Sequence, residues 1–533
     1  MGEHYGIWSV LPPLLAVALA MFTRRIVVSL LVGVFTAALV LSEGYPLRAI
    51  FRCITEDLFH SLIHVEHVQV FAFTLLMGGM VGVMHSSGAM RDLVLRLEHY
   101  ASNRRRGQVF TWVAGLLIFF DDYANTLLLG TTFQPVADRL KISREKLAYI
   151  VDSTAAPVAG LAVISTWVAG EVQFIESGLV QTAFGERTGL AFFIFIETIL
   201  YRFYPILALL LVGFVAYSGR DFGPMRRAER LALQAASHPV GGTPPENSLP
   251  PGPLTEDHAA GQSTIHLALF PITVMVVLLA GILWWTGLAE TGGEASWWEV
   301  LGSGDAYGAL VWASLAGCLT AMILSWNAGR GNVRAIAVWA WRGFTLMSPA
   351  LLVLWLAWTL ADMTGSGGSE PGLGTSIYLA GLLQDVLSPV WLPTLVFILA
   401  SLVAYCTGTS WGTMSILIPL VIPLACKILG DGEGVLHAPI FSATVGGVLA
   451  GSIFGDHCSP LSDTTILSSR ASGCDHMAHV WTQAPYAALA GGISILCGTI
   501  PIGLGIPIWI VLPGAILALW LAHRLLSRDP SDP

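Results

Sequence analysis

The chain has 533 residues, of which 54% are hydrophobic and only 11% are charged, and its formal net charge is −9. Because soluble domains carry about 25% charged residues, this composition excludes a soluble globular protein and predicts an all-α polytopic membrane protein. The basic residues form no arm that would bind nucleic acid, and no Walker loop indicates ATP-driven transport. The seven cysteines lack paired spacing, so no disulfide framework is expected.

Hydrophobic segments of about 20 residues, the length that crosses a bilayer as a helix, recur along the chain. The predicted spans are residues 6–22, 26–42, 68–86, 148–168, 203–219, 265–286, 306–326, 343–362, 438–454, 479–500 and 503–522. The first span follows neither a positively charged start nor a cleavage site of the signal-peptide type, so we expect it to be retained.

Two longer apolar stretches, residues 108–137 and 389–427, are each interrupted by a short polar segment. The interruption is Asp121 to Thr126 in the first stretch and Thr407 to Thr413 in the second. Polar backbone at membrane depth is tolerated only where it is buried in protein or lines a cavity. Each stretch is therefore predicted to enter the membrane, turn at the polar segment and return to its own side as a re-entrant hairpin.

The basic clusters predict the side on which each connection lies, because Lys and Arg concentrate in cytoplasmic loops. The clusters are Arg24 with Arg25, Arg91 to Arg106, Arg139 to Lys146, Arg220 to Arg230, Arg330 to Arg342, and Arg524 with Arg528. If all of them are cytoplasmic, the N-terminus lies outside. The first hairpin then has two cytoplasmic flanks and the second has two external flanks, so the hairpins enter from opposite faces.

The order of elements repeats in the two halves of the chain with opposite orientation. Each half has an amphipathic stretch beginning with Arg-Ala-Ile, a span, a polar hairpin and a broken span. Such inverted repeats are typical of secondary transporters. The predicted division is 1–44 for two N-terminal helices, 45–219 for the first repeat, 220–264 for a flexible cytoplasmic linker, 265–330 for connecting helices, 331–470 for the second repeat and 471–533 for C-terminal helices. The predicted fold is an inverted-repeat secondary transporter with two re-entrant hairpins and two broken transmembrane helices.

The broken spans carry carboxylates at predicted membrane depth. The first broken span carries Asp152 to Pro157, with Asp152 and Ser153 expected at its break, and the second is expected to break near Gly455 and Pro460. An ionisable residue in hydrocarbon is costly and marks a functional site by default. A small hard cation such as sodium prefers the oxygen ligands that these segments offer. The candidate cation ligands are Asp122, Asn125, Thr126, Asp152, Ser153, Thr407, Thr409, Ser410, Asp456, Ser459, Asp463 and Thr464.

Several of these features also have a structural interpretation. Serine and threonine hydroxyls in helices often bond to the preceding turn, and Asp121 is equally suited to cap the second helix of its hairpin. His457 is expected to hold Asp456 by a hydrogen bond. A histidine triplet at helical spacing falls in a predicted interfacial helix, so no transition-metal site is expected there. The triplet is His60, His64 and His67.

Residues Gly455 to Ser469 closely resemble the signature of the NhaC-type sodium/proton antiporter family, within the wider ion-transporter superfamily. The resemblance extends through Phe120 to Thr126, Tyr149 to Pro157 and Gly408 to Thr413. It implies an inverted-repeat exchanger of the inner membrane that binds sodium near the hairpin tips. Similar chains are assigned to malate/lactate exchange or to sodium-coupled amino-acid uptake.

Two functions are therefore expected as alternatives. The first is exchange of sodium for protons by alternating access, in the lipid bilayer, without enzymatic activity and without a cofactor other than the sodium ion itself. The second is sodium-coupled transport or exchange of a small organic acid or amino acid. In that case Arg202 would pair with a substrate carboxylate, although a structural pair with Glu197 is the interpretation we favour. The sequence leaves a homodimer open.

Overall fold

The computed structural model describes residues 5–23, 25–89, 102–184, 189–235, 265–291, 300, 304–365, 372–375, 378, 381, 388–430 and 432–532. Within these residues the chain is helical between short turns, and the one β-bridge joins Asp221 to Arg528. Residues 236–264, most of the predicted linker, lie outside the described residues, as do residues 90–101 of the predicted basic cluster.

The N-terminal part contains two apolar helices followed by a sharp turn. Its helices are α1 (Ile7–Thr23), α2 (Ile26–Leu41), α3 (Pro46–Arg52), α4 (Leu58–Ile63) and α5 (Val65–Ser86). The helix direction changes by 117° after α2. Glu43 and Gly44 make this turn in the left-handed region, with φ of 54° and 84°. The segment with α3 and α4 therefore runs across α2, as an interfacial segment would.

The first half of the chain continues with the helices that carry the first predicted site residues. They are α6 (Arg104–Leu117), α7 (Asp122–Arg139), α8 (Arg144–Ala159), α9 (Val168–Leu179), α10 (Leu190–Thr198), α11 (Phe203–Ser218) and α12 (Gly223–Ala235). Asn103 and Ser143 fix where α6 and α8 begin. Their side chains accept hydrogen bonds from the backbone N–H groups of Arg106 and Lys146, which would otherwise be unpaired.

The second half of the chain carries the remaining predicted site residues and ends with the C-terminal helices. Its helices are α13 (Ile265–Thr291), α14 (Ala306–Asn327), α15 (Val333–Thr364), α16 (Leu392–Thr407), α17 (Ser410–Leu429), α18 (Pro439–Cys458), α19 (Asp463–Ser472), α20 (His476–Ile493), α21 (Ile500–Gly503) and α22 (Ile508–Leu526). Thr409, Ser462 and Asp475 cap α17, α19 and α20 through their side-chain oxygens.

Among the described residues, seven helices are long and apolar enough to cross a membrane, or up to nine if each bent pair is one span. Large apolar side chains such as Trp285, Leu399 and Trp509 are exposed on the outer surface, where only lipid would cover them. Buried polar side chains, by contrast, are concentrated inside the helix bundle. The chain is a multi-pass membrane protein, as its composition predicted.

Helices α6 and α7 form an antiparallel pair whose outer ends lie side by side. A Cβ atom on Gly107, near the start of α6, would lie 2.4 Å from Leu140, just after α7. Glu229 of α12 joins the two ends, because it accepts hydrogen bonds from the Arg104 guanidinium and from the backbone N–H of Ser143. Both ends of this pair lie on one side of the molecule.

Helices α16 and α18 run parallel in close contact, because α18 presents glycines at four-residue spacing to α16. An added Cβ would lie 2.9 Å from the Pro393 carbonyl oxygen at Gly447, 2.4 Å from that of Phe397 at Gly451 and 2.2 Å from that of Ser401 at Gly455. Helices α6 and α8 have the same parallel relation, since Gly115 approaches Thr154 while the two N-terminal ends meet at Glu229. The two halves thus share one local arrangement.

Two long spans are interrupted inside the bundle. We call residues 160–167, between α8 and α9, the first break and residues 459–462, between α18 and α19, the second break. The prediction that Asp152 and Ser153 come from the first break is wrong, because α8 continues through Pro157 to Ala159. The proline lies in the last turn, where it removes a single hydrogen bond from the end of the helix. Helix α18 likewise continues past Asp456, so both carboxylates lie on helices beside a break.

The predicted cytoplasmic side is held together by buried ion pairs. Lys146, near the start of α8, pairs with Asp221, and both side chains are at most 1% exposed. Tyr486 of α20 donates a hydrogen bond of 2.7 Å to the same carboxylate. Helix α12 packs against α8 and α20. The prediction of a flexible linker from residue 220 is therefore wrong for α12, which forms because neighbouring helices cover one of its faces.

Cysteine labelling will test on which side the two helix pairs begin and end. In a cysteine-free background, single cysteines at the exposed positions Ser102 and Arg139 should react with an impermeant maleimide only from the cytoplasm. Cysteines at the exposed positions Ser388 and Gly432 should react only from the external face. Labelling of positions 102 and 139 from opposite faces would show that α6 and α7 do not return to one side.

Candidate functional site

The site is built where two connections and two breaks meet. We call residues 118–121, between α6 and α7, the first tip, and Gly408 with Thr409, between α16 and α17, the second tip. The first break binds the first tip, because the backbone N–H of Thr166 donates to the Phe120 carbonyl at 2.9 Å. The side chain of Thr166 also donates to Asp121 at 3.1 Å. Asp121, interpreted from sequence as a helix cap, thus also joins two polar segments.

The second tip and the residue next to it contact both breaks. Trp167 of the first break meets Trp411, next to the second tip, with ring centroids 5.7 Å apart. Gly408 adopts φ of +68°, and a Cβ there would lie 2.7 Å from the Leu461 carbonyl of the second break. Only glycine suits both that backbone conformation and that approach. The first tip, first break, second tip and second break are therefore joined in that order inside the bundle, and we call this group the ring.

Asp152 of α8 is the carboxylate with the largest set of recorded contacts in this ring. It is fully buried, and its Oδ2 accepts hydrogen bonds from Gln483 Nε2 at 2.6 Å and Thr465 Oγ1 at 3.2 Å. His479 Nε2 lies 3.4 Å from the same oxygen. The other oxygen, Oδ1, has no hydrogen-bond partner in the described part of the chain. One side of the carboxylate is thus fixed by α19 and α20, and the other remains available.

Asn125 of α7 holds the first tip against α8. Its Nδ2 lies within hydrogen-bond distance of the carbonyl oxygens of Gly115 at 2.8 Å, Ile118 at 3.1 Å and Thr154 at 3.0 Å. Two of these carbonyls lie at the end of α6, where carbonyl groups lack N–H partners within the helix. Asn125 Oδ1 and the neighbouring Thr126 Oγ1 are buried and have no recorded hydrogen-bond partner in the described residues. Both oxygens suit a cation.

The second break places a second carboxylate close to hydroxyl groups. Asp456 Oδ2 accepts a hydrogen bond of 3.0 Å from Thr464 Oγ1, which lies 2.9 Å from Ser462 Oγ. Ser459 Oγ donates to the Tyr405 carbonyl at 2.8 Å and so ties the break to α16. Asp463 begins α19, but its side chain lies outside the described part of the structure.

The remaining predicted ligands occupy the second tip and the neighbouring helices. Thr407 donates to the Val403 carbonyl at 2.9 Å, and Thr409 accepts from the Gly412 backbone N–H at 3.3 Å, so both have the local bonds of helix ends. Ser410 is buried at the start of α17. Buried Asp122 begins α7, where the helix dipole favours a carboxylate, and Ser153 is buried beside Asp152. No recorded hydrogen bond joins the described second tip to Asp152 or Asn125.

Sequence reasoning missed the contribution of α19 and α20. Thr465, His479 and Gln483 all contact Asp152, and Gln483 also donates to the His457 carbonyl at 3.0 Å. The signal was present, because His476, His479 and Gln483 follow one another at spacings of three and four residues in an otherwise apolar span. Such spacing puts polar groups on one helix face. The recorded side-chain hydrogen bond of His457 goes to the Tyr204 hydroxyl at 3.0 Å.

The prediction that Arg202 pairs with Glu197 is wrong. Arg202 pairs with Glu171 of α9 at 2.6 Å, and both side chains are at most 1% exposed. Its guanidinium also donates to the Gly160 carbonyl at the first break and to Thr198 Oγ1. Glu197 instead lies 3.4 Å from His437 on a more exposed surface. Glu197 lies on α10, which ends at Thr198, whereas Arg202 lies in the connection before α11, where the chain bends by 46°, so helical spacing does not bring the two side chains together.

The histidine triplet has structural contacts. The His67 ring stacks on Trp358 with centroids 3.8 Å apart and an interplanar angle of 9°. The centroids of His60 and His64 lie 5.2 Å apart, edge to face. Among the described residues, no group of three His, Cys, Asp or Glu side chains has the arrangement of a metal site. The oxygen-rich ring is therefore the candidate ion site that the geometry offers.

Comparison with known proteins agrees with this architecture. The sequence profile of the Na+/H+ antiporter family matches residues 158–500. An uncharacterized protein of Haemophilus influenzae is 32% identical over 493 residues, which are 91% of this chain and 88% of that protein. The malate-2H+/Na+-lactate antiporter of Bacillus subtilis is 40% identical over 83 residues, 16% of each chain.

The fold is also known from a solved structure. The YdaH transporter of Alcanivorax borkumensis superposes with a TM-score of 0.57 at 15% identity, over 87% of this chain and 90% of that one. This likeness concerns the fold alone. With the profile match and the spanning helices, it leads to one conclusion: the chain is a multi-pass membrane protein that belongs to the Na+/H+ antiporter family, a family of secondary transporters.

Proposed function

We propose that this protein exchanges sodium for protons across the inner membrane by alternating access. The observation that carries the proposal is the ring of two tips and two breaks around buried, incompletely bonded oxygens. Asn125 Oδ1, Thr126 Oγ1 and Asp152 Oδ1 all lie there without a recorded partner among the described residues. Leaving such oxygens buried is costly unless a ligand satisfies them.

The ligand that fits is a small hard cation. Carboxylate, amide and hydroxyl oxygens surround the ring, and such a set suits sodium better than a transition metal. The proposed cation-binding residues are Asp122, Asn125, Thr126, Asp152, Ser153, Thr407, Thr409, Ser410, Asp456, Ser459, Asp463 and Thr464. The charge of Asp152 or Asp456 offsets that of the ion. A proton that neutralises the same carboxylate competes with the ion, and this competition gives exchange.

The proposed mechanism uses two inverted halves with re-entrant hairpins. Its support is the shared arrangement in which α6 runs parallel to α8 and α16 runs parallel to α18. The first helix pair returns to the side of Glu229, and the second pair is proposed to enter from the opposite face. Rocking of one half against the other would then expose the central ring to each side in turn. The protein moves ions and is not proposed to make or break covalent bonds.

A second candidate is sodium-coupled carriage of a small organic acid. The similar segment of the Bacillus subtilis malate-2H+/Na+-lactate antiporter favours it. A cavity of about 370 Å³ between α4, α9 and α15, lined by Arg52, His60, Gln181 and Asp362 among others, has the volume of a small-solute pocket. Arg202 does not support it, because Glu171, Gly160 and Thr198 occupy its donors.

Proteoliposomes with an internal pH dye test the exchange. Vesicles loaded with sodium and diluted into choline buffer should become acidic inside, because each sodium ion that leaves is exchanged for entering protons. The apparent sodium affinity should fall as the pH is lowered, since protons compete for the carboxylates. Valinomycin with potassium on both sides removes effects of membrane potential, and protein-free vesicles give the leak rate.

Two outcomes would decide against exchange as the function. Absence of sodium-linked proton movement at every pH tested would reject it outright. Sodium-dependent uptake of labelled malate, lactate or amino acids, with proton movement only when the solute is present, would replace it by the second candidate.

A further inference from the structure

Helix α20 brings a side chain to the central ring that belongs to neither predicted repeat. Gln483 is 1% exposed, and its Nε2 donates to Asp152 Oδ2 at 2.6 Å and to the His457 carbonyl at 3.0 Å. We propose that the amide oxygen of Gln483 is a direct ligand of the transported cation and sets the preference for sodium over lithium. This inference rests on the proposed function and extends it by one ligand.

The orientation of the amide follows from its donors. A primary amide has two N–H hydrogens, and the two acceptors on Asp152 and His457 use both of them. The nitrogen therefore faces these acceptors and the oxygen, Oε1, faces away from them. Oε1 is buried and has no hydrogen-bond donor among the described residues. A reversed amide would place its oxygen against two acceptors, so the orientation is fixed.

Asp152, the carboxylate that Gln483 contacts, also has one oxygen without a recorded hydrogen-bond partner in the described structure. Asp152 receives Gln483 and Thr465 on Oδ2, while its Oδ1 is buried without a recorded partner in the described structure. A carboxylate oxygen and an amide oxygen are thus both unpaired on two side chains that are hydrogen-bonded to each other. Because both are acceptors, no rotation of either group lets one satisfy the other. A cation satisfies both.

Asn125 repeats this arrangement at another contact with α8. Its Nδ2 is committed to three carbonyl oxygens, one of them that of Thr154, and its Oδ1 is left without a recorded partner. The two amides, Gln483 and Asn125, are therefore both held by their nitrogens, and each has a buried oxygen without a recorded partner in the described residues. The atoms that would bind the ion are all oxygens, and an all-oxygen ligand set is typical of alkali and alkaline-earth ions.

Ion preference is expected to depend on Gln483, because selectivity among hard cations depends on ligand number and cavity size. Sodium is larger than lithium and needs more oxygen ligands to replace its hydration shell. Loss of one neutral oxygen should therefore weaken sodium binding more than lithium binding. A residue that only positioned Asp152 would change the binding of both ions by the same factor.

Ion-induced thermal stabilisation of the purified full-length protein tests the inference without relying on transport. Sodium chloride and lithium chloride are titrated in turn, with choline chloride keeping the ionic strength constant. Binding to the folded protein stabilises it by RT ln(1 + c/Kd), where c is the ion concentration, so the rise of the melting temperature with c gives the dissociation constant. Gln483→Leu should raise the dissociation constant for sodium at least about tenfold, with a smaller change for lithium. Gln483→Asn, which keeps the amide but withdraws it by one methylene, should change the ion ratio in the same direction.

Gln173→Leu is the matched control. Gln173 is also a buried glutamine whose Oε1 has no recorded partner in the described residues, but no recorded hydrogen bond joins its side chain to Asp152. Its variant should keep the wild-type sodium and lithium responses. If Gln483→Leu does not yield folded protein, the asparagine variant carries the test.

The outcomes separate the two proposals. Wild-type ion responses in both Gln483 variants, or an equal loss for sodium and lithium, would overturn the ligand role of Gln483 but not the proposed function. A wild-type protein that sodium does not stabilise relative to choline would overturn this inference and the proposed function together.

Discussion

Replacement of Asp152 by asparagine is expected to abolish sodium-driven proton movement while leaving the protein in the membrane. The substitution keeps the size of the side chain but removes the charge that offsets a desolvated cation. It also changes the local hydrogen bonds. Gln483 Nε2 and Thr465 Oγ1 donate to Asp152 Oδ2, so the new amide must turn its oxygen toward them. Its N–H groups then point to the place of Oδ1, where they repel the ion.

We expect the transport rate of Asp152→Asn to fall by more than about 100-fold, equivalent to about 2.8 kcal/mol. Asp456→Asn should have a similar effect, because the carboxylate it removes lies at the second break, where Thr464 contacts it. The measurement is the initial rate of internal acidification in sodium-loaded proteoliposomes, normalised to the amount of reconstituted protein.

Asp305→Asn is the control for loss of an aspartate elsewhere in the chain. Asp305 caps α14 by accepting from the Gly308 backbone N–H, and asparagine caps helices equally well. This variant should transport at the wild-type rate. Wild-type kinetics in Asp152→Asn or Asp456→Asn would show that the carboxylate in question is structural, and its place in the cation site would be lost.

The fold was predictable from sequence wherever one local signal determined the structure. Long apolar runs set the spans because a helix of that length buries its backbone polar groups in lipid. The second tip was equally clear, since Gly408 follows an apolar run and precedes Thr409, whose side chain caps the next helix. These features depend on a few neighbouring residues. Seven to nine spans are found among the described residues, and α16 and α17 are separated within the predicted polar segment. The re-entrant course of that pair stays a prediction.

The position of the first break was not predictable in the same way. Asp152 and Ser153 were predicted to lie at the break, yet α8 continues through Pro157 and ends only after Ala159. A proline removes one N–H donor, but packing on both sides can hold the flanking turns in place. Helix α8 is buried along almost its whole length, so tertiary contacts outweighed the local signal.

Contacts between distant segments were beyond the reach of the sequence. Gln483 lies 331 residues after Asp152, in a C-terminal helix outside both predicted repeats. Its hydrogen bond depends on how α20 packs against α8, which no local pattern encodes. For Arg202 the error was the reverse: a contact with Glu197 was predicted because the two residues are close in sequence, and the structure does not form it. The chain bends by 46° between α10, which carries Glu197, and α11, which follows Arg202, and the guanidinium instead reaches Glu171 of α9.

Loss of the Glu171 carboxylate charge is expected to destabilise the protein strongly. Arg202 is fully buried, and Glu171 is its recorded ionic partner among the described residues. Glu171→Gln leaves that cation buried without a counter-charge, which typically costs about 3–5 kcal/mol. Arg202 also donates to the Gly160 carbonyl, so the first break should loosen with it. The measurement is the melting temperature and the free energy of unfolding of the purified protein, together with its yield from the membrane.

Two further variants separate this effect from general sensitivity to mutation. Glu197→Gln changes a carboxylate that is 29% exposed and contacts His437, so we expect a loss below about 1 kcal/mol. The double variant Glu171→Leu with Arg202→Leu removes both charges and should recover part of the stability, because no unpaired ion stays buried. If Glu171→Gln proved as stable as Glu197→Gln, Arg202 would have to be stabilised by its carbonyl and hydroxyl acceptors alone. The pair would then be dispensable for the fold, and the guanidinium would again be a candidate partner for a substrate carboxylate.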